Sequence, residues 1–408
     1  MNLVIIGAQW GDEGKGKIVD YLADRAENVI RFSGGANAGH TIVAGGRTYK
    51  LHLVPSGMVY PGKQCLLGAA MVIDPEALFN ELAELETQGV DWKGRLFVSD
   101  RAHLVLPSYK AVDKEQDQKR RFPIGTTGRG IGIAYGQKAN RDGLRVCDLY
   151  DEKFYSRLTA EEKAFLDPYK EKLAPMVVNA AYWMEERKNS MNLFEGAQGA
   201  LLDLDSGTYP FVSSGFSCAA GASVGGCVGP KKLDKILGIF KAYQTRVGNG
   251  PFPTEFKEER DGDLETLVRE LGHEYGVTTG RARRCGYLDL TALRYACIVN
   301  GITGLVLTHI DVYDGMDEIR ACVGYRIDGK ETAEFPSKIT DLEKAEPVLK
   351  TFKGWKKPLG GVRSKAELPT ACLDYLNFIE EFTGTPISII SVGPDRDQTF
   401  NAEDPWTK

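Results

Sequence analysis

The stretch Gly7-Ala8-Gln9-Trp10-Gly11-Asp12-Glu13-Gly14-Lys15-Gly16-Lys17 follows directly on the apolar run Leu3-Val4-Ile5-Ile6. A short buried strand that empties into glycines and lysines predicts a phosphate loop. Glycine lets the backbone come close to an anion, and the amides at the next helix start point at it. Gly11 to Lys17 fits G-x-x-x-x-G-K, yet Ile18 stands where Ser or Thr normally holds magnesium. Asp12, inside the loop, is the substitute. A carboxylate among phosphates is repelled unless a metal, a proton or a lysine compensates it. Asp12 is therefore a metal ligand, a general base, or both.

The rest of the chain sets the frame. Its 408 residues can bury one large core or two smaller ones, and 42% apolar with 26% charged residues describe an ordinary globular protein. Lys plus Arg is 51 against 56 for Asp plus Glu, a formal charge of −5, which argues against non-specific nucleic-acid binding. No apolar run reaches membrane-spanning length, and the first residues enter a strand rather than a signal peptide. The 8 cysteines form no C-x-x-C pair and read as reduced thiols, so a cytoplasmic protein is expected. The 5 scattered histidines carry no zinc pattern.

β-Branched runs alternate with helical stretches, which favours α/β with a mostly parallel sheet. Strands are expected at Leu3–Ile6, Val29–Phe32, Leu193–Phe194, Gly304–Thr308 and Ile387–Ser391. Asp74 to Gly89 reads as a helix: Asp74 caps it, Pro75 suits its first turn, Leu78, Leu82 and Leu85 share a face, and Gly89 ends it. Thr159 and Glu162 form a capping box before a helical stretch to about Glu186. Asp113 to Arg121 reads as a solvated helix face. With no long linker or repeat, the expectation is one elaborated domain over 1–408, built around a mostly parallel central sheet in the style of P-loop nucleotide-binding folds.

Several further clusters carry chemistry. Ser33-Gly34-Gly35-Ala36-Asn37-Ala38-Gly39-His40-Thr41 follows a strand, and in a parallel sheet loops behind adjacent strands meet at one edge. That predicts His40 near Asp12, where an imidazole can donate to a developing oxyanion. Gly125 to Gly132 with Lys138 and Arg141 suits a phosphate or is a surface turn. Glu195-Gly196-Ala197-Gln198-Gly199 offers, in Gln198, the donor and acceptor that purine recognition needs. Thr278-Thr279-Gly280-Arg281-Ala282-Arg283-Arg284 can hold carboxylates or phosphates. Asp311, at a strand end, can take two N–H groups from guanine that adenine lacks, and Ser391-Val392-Gly393 closes another strand beside it.

In order, Q-W-G-D-E-G-K-G-K, G-G-x-N-A-G-H-T, I-G-T-T-G-R-G-I-G, F-E-G-A-Q-G, G-T-Y-P, T-R-V-G-x-G-P-F-P-T-E, T-T-G-R-x-R-R and S-x-G-P-D-R run from Gly7 to Arg396. This ordered set closely resembles the adenylosuccinate synthetase family. The resemblance implies GTP-dependent ligation of L-aspartate to IMP through a 6-phosphoryl intermediate, with Mg2+, in a homodimer. Carried over by position, Asp12 resembles the base for the purine N1 proton and His40 the acid at O6. Lys15 and Gln198 match the other catalytic positions. Asp12 and the carbonyl of Gly39 resemble the magnesium ligands. GTP would lie on Gly11, Asp12, Glu13, Gly14, Lys15, Gly16 and Lys17, on Gly39, His40 and Thr41, and on Arg283. Its base would meet His309, Ile310 and Asp311 with Ser391, Val392 and Gly393. IMP would meet Asp12, Glu13, Gly14 and Lys15, then Asn37, Ala38, Gly39 and His40. Thr127, Gln198, Ser213 and Arg281 complete that set, with Arg141 reaching across the dimer. Val277, Thr278, Thr279, Gly280, Arg281, Ala282 and Arg283 would grip the aspartate carboxylates.

Departures from the family pattern are local. Ser213 stands where Thr is common, Gly215 to Cys218 lose an Asn, and His309 replaces a lysine. The connection over about 150–190 is shorter than in many relatives. Two rival activities frame the reading. Viral relatives that act on dGMP are altered at the loop carboxylate, whereas Asp12 is present. A guanine-nucleotide switch would need the missing hydroxyl after Lys17 and no arginine loop.

Overall fold

Leu3, Val4, Ile5 and Ile6 are wholly buried in the strand Asn2–Gly7, as expected of a strand covered on both faces. The computed structural model describes residues 1–44, 46–275 and 282–407. They divide into two compact units, one of Met1–Ile6, Lys15–Gln198 and Val212–Asp234, the other of Gly7–Gly14, Gly199–Phe211 and Lys235–Lys408.

In the first unit the strands run in the spatial order Asn2–Gly7, Asn192–Glu195, Asn28–Gly34, Gln64–Ile73, Leu96–Ser99 and Val177–Val178, and every pairing is parallel. The strand Asn192–Glu195 therefore separates the two strands whose loops were expected to be neighbours. Asp74 caps the helix Pro75–Thr87 by accepting from the Ala77 N–H at 3.2 Å. Leu78, Leu82 and Leu85 bury its inner face. The Thr159–Glu162 capping box forms, but its helix ends at Leu173 rather than near Glu186. Pro175 lacks the N–H that a continuing helix needs, so a 3-10 turn and the strand Val177–Val178 intervene before the helix Ala180–Glu186. The short helix Ala220–Gly226 lies directly on the sheet. A Cβ on Gly225 would fall 1.9 Å from the carbonyl oxygen of Phe32, which is why this segment is glycine-rich.

In the second unit Lys235–Lys241, Gly304–Thr308 and Ile387–Ser391 are parallel neighbours, closed by antiparallel Thr399–Asn401. A second sheet joins Tyr243–Arg246, Arg284–Asp289, Glu318–Ile327, Lys330–Thr332 and Glu346–Lys353. Trp10, Leu201, Phe252 and Ala292 form a core cluster here. The cysteines are all free thiols. Among the described residues no helix is long and apolar enough to cross a membrane.

Candidate active site

The second unit builds the Asp12 loop from its own side chains. Glu13 is wholly buried and turns back, its Oε1 accepting from the backbone N–H of Gln9 at 3.1 Å and of Gly11 at 2.8 Å. A Cβ on Gly7 would lie 2.3 Å from Oε2 of Glu13, so only glycine fits there. Gln9 fastens the loop to the sheet: its amide donates to the carbonyl of Tyr243 at 3.1 Å and accepts from the N–H of Lys241 at 3.1 Å. Trp10 packs edge-on against Phe252. What remains outward is Asp12, at φ 60° and with its side chain 41% exposed. Glu13, expected to meet nucleotide, acts here as the loop's internal brace.

Behind Asp12 stands a buried charge network that sequence reading missed. Arg283 Nε lies 3.1 Å from Asp12 Oδ2 in an ion pair, and its Nη1 donates to Glu274 Oε2 at 2.8 Å. Glu274 also receives Lys241 Nζ and the hydroxyl of Tyr243, the latter at 2.6 Å. Burial pushes the Glu274 carboxyl up, but Lys241 and the hydrogen bonds from Lys241 and Tyr243 outweigh it and hold it at about 2. Tyr243 in turn meets His309 Nδ1 at 3.4 Å with the rings edge-on. The signal was present as Glu274, just upstream of T-T-G-R, but nothing in the spacing predicts its partners.

The segments expected to meet the GTP base leave one sheet edge. Leu307 pairs with Ile390, so His309–Ile310–Asp311 and Val392–Gly393 leave parallel neighbours at one sheet edge. A strap not foreseen braces both loops: Asp314 accepts from the Trp355 indole at 2.8 Å and from the Leu359 N–H at 2.9 Å, while Gln398 donates to the Gly360 carbonyl at 3.2 Å.

The first unit holds the His40 loop. Arg31 pairs with Glu195 in register, so the loops after these strands share an edge, and a Cβ on Gly34 would be 3.1 Å from that of Ala197. Gln198 sits there at φ 56°. Asn37 Oδ1 is buried without a hydrogen-bond partner among the described residues, an acceptor left for a ligand. His40 Nε2 lies 2.8 Å from Ser56 Oγ and 3.3 Å from Glu195 Oε1. Burial lowers the His40 pKa to about 4, against the opposing pull of Glu195. A Cβ on Gly16 would be 3.1 Å from the Thr41 carbonyl oxygen, so this lysine-rich turn needs glycine to pass the His40–Thr41 backbone. Arg31, Glu81, Ser56 and Glu195 went unassigned in the sequence, although a charge inside the apolar run Val29–Phe32 marks a buried partner.

The charge run Asp113 to Arg121 is solvated at Lys114, Glu115, Lys119, Arg120 and Arg121, but two of its carboxylates turn inward. Asp113 and Asp117 are buried and clamp the Thr127 loop. Asp117 accepts from the N–H groups of Ile124, Gly125 and Thr126 at 3.1, 3.0 and 3.2 Å, and Asp113 takes the Gly130 N–H at 2.8 Å and the Thr126 hydroxyl at 3.1 Å. Thr127 itself is exposed, as is Arg141, at φ 66° beyond the helix Ile131–Asn140. Ser213 is half-buried. The lost Asn has a physical counterpart at Gly215, where a Cβ would be 2.9 Å from the Tyr135 hydroxyl. Val277, Thr278, Thr279, Gly280 and Arg281 lie outside the described residues.

A family profile described as adenylosuccinate synthetase matches residues 4–400. The chain belongs to the adenylosuccinate synthetase family. It is 49% identical to the adenylosuccinate synthetase of Clostridium novyi, over 97% of this chain and 98% of that one. With that of Moorella thermoacetica it shares 47%, over 99% of both. The fully ligated adenylosuccinate synthetase of Plasmodium falciparum superposes with a TM-score of 0.89 at 38% identity, covering 98% of this chain and 99% of that one. The succinoaminodeoxyadenylate synthetase of cyanophage S-2L, bound to dGMP and dATP, shares the fold at a TM-score of 0.64 and 20% identity, over 99% of this chain and 96% of that one. The chain is thus a ligase of purine biosynthesis that couples IMP to L-aspartate at the expense of GTP.

Proposed function

We propose that Asp12 takes the N1 proton of IMP while His40 stabilises the charge that gathers on O6. O6 then bonds to the γ-phosphorus of GTP as the bond to the β–γ bridging oxygen breaks, and GDP leaves. The amine of L-aspartate adds at C6 of the 6-phosphoryl intermediate, loses a proton, and expels inorganic phosphate. The physical reason for the detour is that a purine oxo group leaves poorly and a phosphate leaves well. The observation that supports this most is the Asp12 loop itself: Gln9, Trp10 and Glu13 are engaged internally, and the one carboxylate left outward is Asp12.

The donor set fits Mg2+. Among the described residues no three His, Cys, Asp or Glu side chains gather into a cage. Mg2+ on substrate phosphates usually takes only one or two protein carboxylates, which suits a lone outward Asp12 with the Gly39 carbonyl. Bound there, the ion would neutralise charge developing on the phosphates. Lys15 and the N–H groups of Gly11 to Lys17 would bind phosphate oxygens. Arg283 would move from Asp12 toward GTP or aspartate, still held by Glu274. Gln198, Asn37, Thr127 and Ser213 would orient IMP. Arg141, exposed on this chain, would serve the IMP of a second copy in a homodimer, and the family match over nearly the whole length supports treating 1–408 as one catalytic domain. The free cysteines support a cytoplasmic enzyme, and the formal charge of −5 supports small-molecule partners rather than nucleic acid.

The test is adenylosuccinate and phosphate release with IMP, GTP and L-aspartate each omitted in turn, and with dGMP or ATP substituted. Strict need for all three substrates is expected. Equal rates with ATP would defeat the role given to Asp311.

A further inference from the structure

Two stretches of the ordered motif set carry no residue assigned to substrate, G-T-Y-P over 207–210 and T-R-V-G-x-G-P-F-P-T-E over 245–255. Both close on one side chain. Arg246 ends the strand Tyr243–Arg246 and is 1% exposed. Its Nη1 donates to the Pro251 carbonyl at 2.5 Å, and its Nη2 to the Thr208 hydroxyl at 3.2 Å and the Phe211 carbonyl at 3.3 Å. It forms no ion pair among the described residues; Glu255, the carboxylate of its own stretch, is taken by Arg284 through two bonds of 2.6 Å. Burial and Arg284 draw the Arg246 pKa down to about 9, so the group is a cation at pH 7.

A buried cation without a carboxylate is costly. Here its shape is used. A lysine would bring the same charge, but only the flat guanidinium offers several fixed donors at its rim and a face to an aromatic ring. The rim of Arg246 holds the three acceptors just named. Its face lies over the Trp10 ring, 4.9 Å from the centroid. Phe252 meets the same ring edge-on at 5.3 Å. The turn that follows is shaped to the guanidinium: Gly250 stands at φ 109°, and a Cβ there would lie 2.4 Å from Nη2. Trp10 comes two residues before Asp12, and Gly11 and Asp12 have φ of 87° and 60°. A backbone in that region persists only when its surroundings fix it. The position of Asp12 therefore depends on the anchors before it, Gln9 on the sheet and Trp10 beneath Arg246.

We propose that Arg246 is a positioning residue for the reaction: its guanidinium, fixed by Thr208, Phe211 and Pro251, clamps the Trp10 ring against Phe252 and so sets where the Asp12 carboxylate stands. The proposal rests on the reading of Asp12 as the base for the purine proton. It gives the two unassigned stretches one shared task, to build the socket of that clamp.

The test uses the full chain labelled with 15N. Of its 5 tryptophan indole N–H signals, that of Trp10 is the one lost in Trp10→Phe. In Arg246→Lys the Trp10 signal should move or broaden while the others stay. kcat should fall about tenfold to a hundredfold, the cost of a catalytic group displaced by a remote change. KM for L-aspartate should stay within about twofold, which separates placement of the base from grip on the substrate. A merely structural arginine would instead disturb all the indole signals. Trp10→Leu removes the aromatic face and should lower kcat by a similar factor, whereas Trp10→Phe keeps a face and should lose less. Arg246→Lys with Trp10→Leu should be no slower than the slower single variant, because both act through one contact. Losses that multiply, or unchanged kcat and indole signals in Arg246→Lys, overturn the proposal. If Arg246→Lys does not fold, equal kcat in Trp10→Leu and Trp10→Phe overturns it. Full turnover in Asp12→Ala overturns instead the reading beneath it.

Discussion

The surroundings of Asp12 and of His40 hold their key groups by opposite means. Asp12 ends a ladder of full charges, Arg283, Glu274 and Lys241, of which the last two are nearly inaccessible. His40 ends a line of hydrogen bonds through a neutral hydroxyl, and burial keeps its ring toward the neutral form. Charges in a low-dielectric interior bind strongly but leave a heavy penalty when one partner goes; a hydroxyl contributes less and costs less to lose. The first arrangement holds an outward carboxylate in place against an arginine. The second suits a ring whose direction matters more than its charge.

Mutations can break this contrast. The largest effect is expected for Asp12→Ala. Turnover should fall by about 10²- to 10⁴-fold, the span of a lost general base, while thermal unfolding is nearly unchanged because the side chain is 41% exposed. Retained activity in that variant would remove the assigned base. Next comes Glu274→Ala, which strands Lys241 and Arg283. A loss of about 3–5 kcal/mol in denaturant unfolding is expected, as for other broken buried pairs. Adding Lys241→Met should restore part of it, and no restoration would show that the pair is not the source.

Smaller effects sharpen the comparison. Asp117→Ala removes three backbone hydrogen bonds from the loop carrying Thr127. KM for IMP should rise about tenfold with little change in kcat, the pattern of lost uniform binding. If kcat falls and KM does not, the loop serves chemistry rather than grip. The smallest effect is in the acid limb of stability. His40 has a folded pKa near 4 against an ordinary 6.5, so the unfolded chain binds the extra proton first and stability falls as pH drops from 6.5 toward 4. Glu274, held near 2 against 4.5, contributes stability that is present above 4.5 and lost only as pH falls toward 2. His40→Asn should flatten the upper window and Glu274→Gln the lower; unfolding midpoints measured from pH 7 to pH 2.5 would show a single shared window if the contrast is wrong.

Local chemistry was legible in the sequence wherever a short segment decides its own shape. The apolar runs became strands, Asp74 and Thr159 capped helices, and the order of motifs identified the reaction. Asp12 and His40 stand out as polar groups among glycines behind a strand, and Asp311 as a carboxylate just past a strand end. The reading failed where a side chain acts at a distance along the chain. Asp113 and Asp117 look solvated on a helix and are instead bound by a loop several residues later. Glu195 finds Ser56, 139 residues away, and Glu274 finds Lys241, 33 away. A sequence determines which groups have protons to give or take and where the backbone can turn. Which buried carboxylate meets which donor is settled only when strands far apart in the chain are set side by side, because desolvation forces every buried charge to find a partner that the local sequence does not name.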